Sequence, residues 1–232
     1  MTMTMAPGVD AGSIREADAI RLVQGSAWER LRIGSMALGR LLRNPDDTAQ
    51  VFLVGIALNA GSFPQLIARV VADEAGFQLA AEAPTIDSRS VDFDGLRALP
   101  ADTLGGAYVR YLDDNKLDPD LFQPPPGLPK VPRWIAMRIR QTHDVWHTLT
   151  GYGPDVVGEL CLQGFTYGQL GMPSSLAIAT IGTVFRAPTA ARRVLRGYQR
   201  GRRATYLPVV RFEDRWDRSL DDVRRELMID PE

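Results

Sequence analysis

Residues 141–151 read Gln-Thr-His-Asp-Val-Trp-His-Thr-Leu-Thr-Gly, and the rest of the chain is arranged around this stretch. It holds both histidines of the 232-residue chain, His143 and His147, four positions apart. Side chains four positions apart lie on the same face of an α-helix. Because Ile139 and Ile135 continue that spacing towards the N-terminus, the pattern predicts a helix whose histidines extend an apolar stripe and point inward.

A carboxylate can complete the metal site that these histidines begin. Two neutral imidazoles one helical turn apart can bind one ion, and Glu159 follows twelve positions after the second histidine. Residues 151–154 contain two glycines and a proline, which end the helix, and Asp155 starts a second apolar pattern. A helical hairpin would therefore return Glu159 to the histidines. Asp144 lies about 100° around the helix from His143. It serves either as a ligand or as a partner that orients an imidazole.

The predicted site residues, both as metal ligands and as catalytic groups, are His143, Asp144, His147 and Glu159. The ordinary alternative is a pair of buried histidines that bond to backbone carbonyls, since HDxxH is a short pattern with many accidental matches. A carboxylate on the next element and the absence of any other histidine favour the metal site. Spacing alone does not choose between zinc, magnesium, manganese and iron. Such a ligand set leaves coordination positions open for non-haem iron oxygen chemistry or Lewis-acid catalysis.

Composition predicts one domain in a reducing compartment. The chain is long enough for one sizeable core, with 27 Lys+Arg against 28 Asp+Glu, and residues 160–212 contain no acid. The single cysteine, Cys161, excludes an internal disulfide and reads as a small core residue. Residues 1–14 are predicted to be disordered, and 15–230 to form one helical domain. We see no secretory signal and expect a cytoplasmic protein. The longest apolar run, 176–185, is too short to span a bilayer.

Helical periodicity recurs along most of the chain, which predicts a mainly α, single-domain multi-helix bundle with long loops and a proline-rich strap. Two helices are predicted within 14–42, one at 49–58, and one at 63–75 that ends at Gly76. Another starts at 100–103 and stops at 115–116. The remaining predicted helices are 133–150, 154–170, 176–185, 192–203 and 219–228. Residues 77–94 are predicted to be mostly loop. Six prolines in 118–132 predict an extended strap that excludes helix and sheet, and 207–212 reads as a short strand.

The sequence from His143 to Gly151, continued by Gly158 and Glu159, resembles the HDxxH, eleven residues, E signature of the fourth Coq protein of ubiquinone (coenzyme Q) biosynthesis. The resemblance extends from about residue 35 to 228. The supporting matches are Asp46-Asp47-Thr48 before Val51-Phe52, Leu99-Pro100, Thr103 to Tyr108 with Leu112, Gly197-Tyr198 with Gly201 and Ala204, and Trp216.

This resemblance implies a helical protein that binds a divalent ion at His143, Asp144, His147 and Glu159. It further implies peripheral contact with a membrane, expected here at the cytoplasmic face of the inner membrane, and binding of a polyprenylated quinone precursor. The resemblance also implies work with other ubiquinone-biosynthesis enzymes. The implied reaction is oxidative decarboxylation, in which the carboxyl group at ring carbon one is replaced by hydroxyl. No transit peptide is visible, so we expect a bacterial homologue.

Other functions fit the sequence less well, except for one. A metallopeptidase would use the Asp144 carboxylate as general base, and aspartate is one methylene shorter than the glutamate of HExxH. A phosphohydrolase of HD type would need further histidines. Nucleic-acid binding is not expected, because the arginines lack interleaved aromatic residues. The remaining rival is a non-catalytic lipid-binding scaffold that organises the other enzymes at the membrane. A homodimer is a further expectation.

Two surfaces are predicted for lipid. Residues 51–58, 160–170 and 176–185 would line a tunnel for an isoprenoid tail beside the metal, although some of these runs must also supply the core. Four arginines at helical spacing would form a dock for anionic membrane beside the short apolar run. These are Arg192, Arg193, Arg196 and Arg200, with Leu195 and Tyr198 on the dry side of the same helix. A solvated basic face paired with acids elsewhere is the alternative.

Overall fold

The described part of a computed structural model of this chain comprises residues 26, 28, 29, 32–36, 55–121 and 128–232. Its regular secondary structure is helical, and its only β-type pairing is an isolated bridge between Thr103 and Ser219. Short helical stretches occur at 28–29, 32–36 and 55–59. The longer helices are α1 (Phe63–Ala72), α2 (Glu74–Glu82), α3 (Phe93–Ala98), α4 (Leu104–Asn115), α5 (Lys130–Gln141), α6 (His143–Thr150), α7 (Val156–Leu170), α8 (Pro173–Arg186), α9 (Ala191–Arg203) and α10 (Leu220–Glu226). The predicted mainly α, single-domain fold is confirmed.

The chain leaves helical geometry at Asp73, where the sequence predicted one helix from 63 to 75. Asp73 has extended dihedral angles, and its carboxylate accepts a hydrogen bond from the Gly76 amide at 3.1 Å, which caps α2. Gly76 therefore lies inside a helix rather than ending one. The predicted loop at 77–94 is also wrong in part, because it contains most of α2 and the start of α3.

Helix α4 begins and ends as predicted. The Thr103 hydroxyl accepts from the Gly106 amide at 3.1 Å, and Lys116 adopts a left-handed conformation that stops the helix. The proline-rich strap is shorter than predicted, because α5 starts at Lys130 and includes Pro132 in its first turn. Proline is tolerated there, since the first amides of a helix have no intrahelical partner. Residues 122–127 lie outside the described part of the chain.

The predicted helix 133–150 is two helices, α5 and α6, which meet at Thr142. The Thr142 hydroxyl donates to the Arg138 carbonyl at 2.8 Å, and its backbone angles are φ −89° and ψ −4°. Such a side-chain bond to the preceding turn competes with the regular helical pattern. The histidine-bearing segment is therefore a separate helix of 8 residues.

Helices α7 and α9 pack closely against each other. A Cβ atom at Gly201 would lie only 2.2 Å from the Phe165 carbonyl oxygen, and one at Gly197 only 2.4 Å from that of Cys161. Only glycine allows this approach of two backbones. The glycines therefore face α7, and Tyr198, predicted to lie on the dry side, stacks on Tyr167 of α7 with ring centroids 5.6 Å apart. Leu195, also predicted to lie there, is 56% exposed.

Two further predictions near the C-terminus need correction. Residues 207–212, predicted as a strand, contain a 3-10 turn at Leu207–Val209, and another begins at Phe212. Pro208 lacks the amide hydrogen that a central strand position needs. Helix α8 begins one residue before the predicted cap of Ser174 and Ser175, with Met172 at its N-cap position.

Helix α6 lies in the middle of the core. Its residues Val145, Trp146 and Leu149 are at most 1% exposed and belong to one apolar cluster with residues from α1, α4, α5 and α7. Burial of each such side chain stabilises the fold by about 1.5–3 kcal/mol. Cys161 is also fully buried, and burial raises the pKa of its thiol to about 11. It is the small core residue that the sequence predicted.

A buried ion pair joins helix α5 to the Phe212–Arg215 turn. The Arg138 side chain is 2% exposed, and both its terminal nitrogens donate to the Glu213 carboxylate, at 2.5 and 2.8 Å. One of them also donates to the Val210 carbonyl at 3.0 Å. This bidentate geometry holds the segment from Val210 to Glu213 against α5.

No helix in the described ranges is long and apolar enough to cross a membrane. Most of the predicted helices within 14–42 and 49–58, and the predicted disordered residues 1–14, fall outside the described residues.

Candidate metal centre

The two histidines project from α6 on the side that faces α7, as the spacing predicted. His147 is 1% exposed and His143 has 31% of its side chain exposed. Their ring centroids lie 4.9 Å apart, with the rings nearly perpendicular. One ligand atom from each of His143, Asp144 and His147 falls within 4.8 Å of the others, which suits a single small ion.

Glu159 reaches both histidines from α7. Its carboxylate oxygens lie 3.2 Å from His147 Nε2 and 4.0 Å from His143 Nε2. Asp155 caps α7 by accepting from the Val157 and Gly158 amides, at 2.9 and 3.2 Å. The structure thus brings together all four residues predicted from the sequence.

A glycine next to the glutamate lets α7 start so close to the preceding turn. A Cβ atom on Gly158 would lie 2.1 Å from the Gly153 carbonyl oxygen. Since two backbones cannot approach that closely around a side chain, any other residue would push α7 away from α6. The sequence of the turn therefore sets the distance between Glu159 and the histidines.

The turn also fixes the orientation of His147. Its Nδ1 atom lies 2.9 Å from the Tyr152 carbonyl oxygen. A carbonyl only accepts, so Nδ1 carries the hydrogen and donates it. In the neutral ring Nε2 then has a lone pair, and this buried atom has no hydrogen-bond partner among the described residues. The lone pair faces the carboxylate of Glu159, another acceptor.

Asp144 lies beside His143 in the first turn of α6. Its Oδ1 atom is 3.4 Å from His143 Nδ1, and a carboxylate in this position orients an imidazole and increases its basicity. Burial lowers the pKa of His143, but the contact with Asp144 and the negative charges of Glu159 and Asp144 outweigh it and raise that pKa above its usual value. The contact favours the orienting role for Asp144.

Tyr111 on α4 is also part of the site, although no motif in the sequence marks it. Its ring stacks on His147 with centroids 5.2 Å apart and planes inclined by 18°. Burial, followed by the charges of Asp144, Glu159 and Asp155, raises its pKa, so the phenol stays protonated. No local pattern could reveal this contact, because it depends on the packing of α4 against α6.

A helical protein whose adjacent helices supply two histidines and two carboxylates to one cluster belongs to the class of candidate carboxylate–histidine metalloproteins. The family model for "Coenzyme Q (ubiquinone) biosynthesis protein Coq4" matches residues 21–232, and the chain belongs to this family. The predicted resemblance is confirmed.

Curated relatives cover most of the chain. The mitochondrial ubiquinone biosynthesis protein COQ4 homolog of Drosophila ananassae is 30% identical over 214 residues, which is 89% of this chain and 80% of that protein. The Mus musculus homolog is 30% identical over 210 residues, covering 88% and 79%. A solved structure from Nostoc punctiforme, described as a ubiquinone biosynthesis protein, has a TM-score of 0.69 at 22% identity and covers 84% of this chain and 96% of that one. It supports the fold.

Proposed function

We propose that the protein binds one divalent metal ion through His143, His147 and Glu159, with Asp144 orienting His143. The observation that carries this proposal is the contact between His147 Nε2 and the Glu159 carboxylate, two groups 3.2 Å apart. Nδ1 of His147 donates its hydrogen bond to the Tyr152 carbonyl, so Nε2 of the neutral ring is an acceptor that faces a second acceptor, the Glu159 carboxylate. A proton or a cation must therefore lie between them. A metal ion satisfies both, and it also explains the nearby His143.

Zinc, iron, manganese and magnesium remain the candidate ions, and imidazole ligands suit the first two best. When bound, the ion would supply Lewis acidity or redox chemistry at open coordination positions. The chain's own residues do the rest. Buried His147 keeps water from one side of the site, whereas Glu159 and His143, at 43% and 31% exposure, leave the other side open to a substrate. The protonated phenol of Tyr111 can donate a hydrogen bond there.

As substrate we propose a polyprenylated hydroxybenzoate-type precursor of ubiquinone. In the proposed reaction the bond between ring carbon one and the carboxyl carbon breaks, carbon dioxide leaves, and a hydroxyl group takes its place. The ring loses two electrons overall, which dioxygen accepts. With water as the source of the hydroxyl oxygen, acid, water and dioxygen give phenol, carbon dioxide and hydrogen peroxide. Membership of the Coq4 family supports this assignment.

The test uses the full chain, loaded with each of the four metals in turn, and a short-tailed prenyl-hydroxybenzoate analogue. Loss of the carboxyl group and gain of hydroxyl are followed by mass spectrometry, with and without dioxygen. We expect turnover only with metal and dioxygen, and none after His147→Ala. Binding of the analogue without turnover under any condition would instead favour the non-catalytic scaffold that works with the other biosynthesis enzymes.

We also propose that the protein contacts a membrane peripherally through α8 and α9. Three apolar side chains on α8 are exposed, namely Ile181 at 55%, Val184 at 60% and Phe185 at 78%. Of the four arginines predicted to form the dock, two are already engaged: Arg193 pairs with Glu232 at 2.6 Å and Arg200 donates to a backbone carbonyl. Exposed Arg192 and Arg196 are the ones left to meet anionic lipid.

Flotation with anionic and neutral vesicles across a salt series tests this contact. Replacing Arg192 and Arg196 by glutamine should lower binding to anionic vesicles at low salt, and Phe185→Ser should lower binding to both vesicle types. Arg133→Gln, an exposed arginine on α5, is the matched control. Equal flotation of all variants would exclude this surface. The isoprenoid tunnel stays a prediction, since residues 51–54 of its proposed lining lie outside the described part of the chain. The homodimer also stays a prediction.

A further inference from the structure

The C-terminal end of α6 has an unusual set of hydrogen-bond donors. The last four carbonyl groups of a helix have no partner within it. In α6 all four are satisfied. The partners are the Gly151 amide for His147 O at 2.9 Å, Arg224 for Thr148 O and Leu149 O at 3.0 and 2.9 Å, and Arg200 with the Glu232 amide for Thr150 O at 2.9 and 3.0 Å.

Two guanidinium groups from distant parts of the chain provide three of these bonds. Arg200 comes from α9 and Arg224 from α10. Arg224 spans two successive carbonyls with its Nε and Nη2 atoms. Arg200 also donates to the Asp230 carbonyl, and its guanidinium carbon lies 4.7 Å above the centre of the Tyr152 ring. Arg200 and Arg224 together therefore bind the end of α6, and Arg200 also contacts the turn that follows it.

These arginine contacts affect the proposed metal site through Tyr152. The carbonyl group of Tyr152 receives the Nδ1 hydrogen of His147 and so sets which way the imidazole faces. The direction of that carbonyl depends on the path of the turn after α6. We propose that Arg200 and Arg224 are positioning residues of the metal centre, because they fix this turn and thereby aim His147 Nε2 at Glu159. The inference rests on the proposed metal site.

The positive charge of the two arginines allows a positioning effect to be distinguished from a purely electrostatic one. A guanidinium group near a cation site repels the cation, so its removal should by Coulomb's law alone strengthen metal binding. A loss of positioning acts in the opposite direction. Removal of a group that orients a ligand typically weakens metal affinity about 10–100-fold. The sign of the change therefore identifies the role.

The experiment measures Co²⁺ and Zn²⁺ affinity of the full chain by chelator competition, together with the Co²⁺ absorption spectrum. For Arg200→Gln and Arg224→Gln we expect affinity to fall about 10-fold and the spectrum to shift. Arg224→Lys should remain weakened, since an ammonium group cannot span two carbonyls, whereas Arg200→Lys should recover part of the loss. Arg218→Gln removes the same charge close to α10, but Arg218 pairs with Glu226 and not with α6, so its affinity should match the parent.

A second measurement covers variants that fold poorly. In the metal-free parent, ¹⁵N NMR should show His147 with its hydrogen on Nδ1, and the lysine variants, which keep a cation at the helix end, should show a mixture of tautomers. If the arginine variants bind metal as tightly as the parent or more tightly, and only their melting temperature falls, the positioning role is wrong while the metal site stands. If the parent itself binds no divalent ion, both proposals fail.

Discussion

Two pairs of residues in this protein look alike and behave differently. Each pairs a buried basic side chain with a glutamate from another element: Arg138 with Glu213, and His147 with Glu159. Arg138 and His147 are 2% and 1% exposed, while the glutamates are 19% and 43% exposed. In the first pair both carboxylate oxygens accept hydrogens from a group that is always charged. In the second, Nδ1 of the imidazole donates to the Tyr152 carbonyl, so in the neutral ring the nitrogen that faces the carboxylate carries no hydrogen.

The difference separates a structural contact from a binding site. In the Arg138 pair the two charges compensate each other, so the pair needs no added cation and contributes to the fold. The His147 pair leaves two acceptors facing each other at a partly open surface, so it is stable only around a proton or a cation. We therefore expect mutations in the first pair to change the free energy of unfolding, and mutations in the second to change metal affinity.

The largest effect on stability is expected from Glu213→Ala. This change leaves the guanidinium of Arg138 buried without its counter-charge, and arginine cannot lose its proton to relieve the cost. Such a loss lowers the free energy of unfolding by about 3–5 kcal/mol. Urea denaturation of the metal-free protein measures it. Metal affinity of the folded protein should not change.

The control is Glu226→Ala. Glu226 pairs with Arg215 and Arg218 near the surface, with 35% of its side chain exposed. Exposed pairs contribute about 0–1 kcal/mol. If Glu213→Ala were no more destabilising than Glu226→Ala, burial would not distinguish these two ion pairs.

The second largest effect is expected on metal binding by Glu159→Ala. Loss of a direct ligand should weaken affinity by at least about 100-fold, the upper range for groups that only orient ligands. A hundredfold change is about 2.7 kcal/mol of binding free energy. The stability of the metal-free protein should stay the same, because Glu159 is 43% exposed. Elemental analysis and calorimetry measure the change, with His143→Ala in parallel; unchanged metal stoichiometry in both variants would contradict the site.

Asp144→Asn sharpens the same comparison. If Asp144 orients His143 rather than binding the ion, affinity should fall only about 10-fold. A loss as large as that of Glu159→Ala would make Asp144 a ligand. Asparagine keeps the shape of the side chain, so the variant should fold like the parent, and an unchanged melting temperature serves as the internal control.

The residues of the candidate site could be predicted from the sequence because their signals are local. The spacing of His143 and His147 depends only on helix geometry, and Asp155 marks the start of the helix that carries Glu159. The family resemblance rests on the same residues. The break at Thr142 was missed, since apolar periodicity continues across it and only a hydroxyl bond to Arg138 shows the interruption.

The support of the site could not be predicted in this way. Arg200 lies in a basic helix that suggests a solvated face or a membrane dock, and Arg224 lies in a stretch of mixed charge. Nothing in the spacing of either residue shows that it donates to α6. Tyr111 likewise meets His147 only through tertiary packing. Leu195 follows the apolar spacing of α9 but is exposed, because the side of that helix that contacts α7 is formed by its glycines together with Tyr198, which stacks on Tyr167.

A smaller effect on stability is expected from Gly201→Ala. The added methyl group would overlap the Phe165 carbonyl oxygen, which belongs to helical backbone and cannot rotate away, so α9 must move from α7. Overpacking of this kind costs about 1–3 kcal/mol. Gly55→Ala is the control, since a Cβ there has no neighbour within 4 Å among the described residues, and alanine favours helix. Thermal denaturation of both variants measures the difference, and equal melting temperatures would show that the helices can separate without cost.

The smallest effect is expected from Asp155→Ala, which removes the cap of the helix that carries Glu159. The Asp155 carboxylate accepts from two amides of the first turn of α7, and loss of such a cap costs about 0.5–2 kcal/mol. Asp155→Ser should restore most of this stability, because a hydroxyl can accept the same hydrogen bonds. Since Gly158 still holds α7 against the turn, metal affinity should change less than threefold. Calorimetry on the folded variants checks this, and a loss of affinity as large as that of Glu159→Ala would mean that the cap, and not the close backbone contact, places the glutamate.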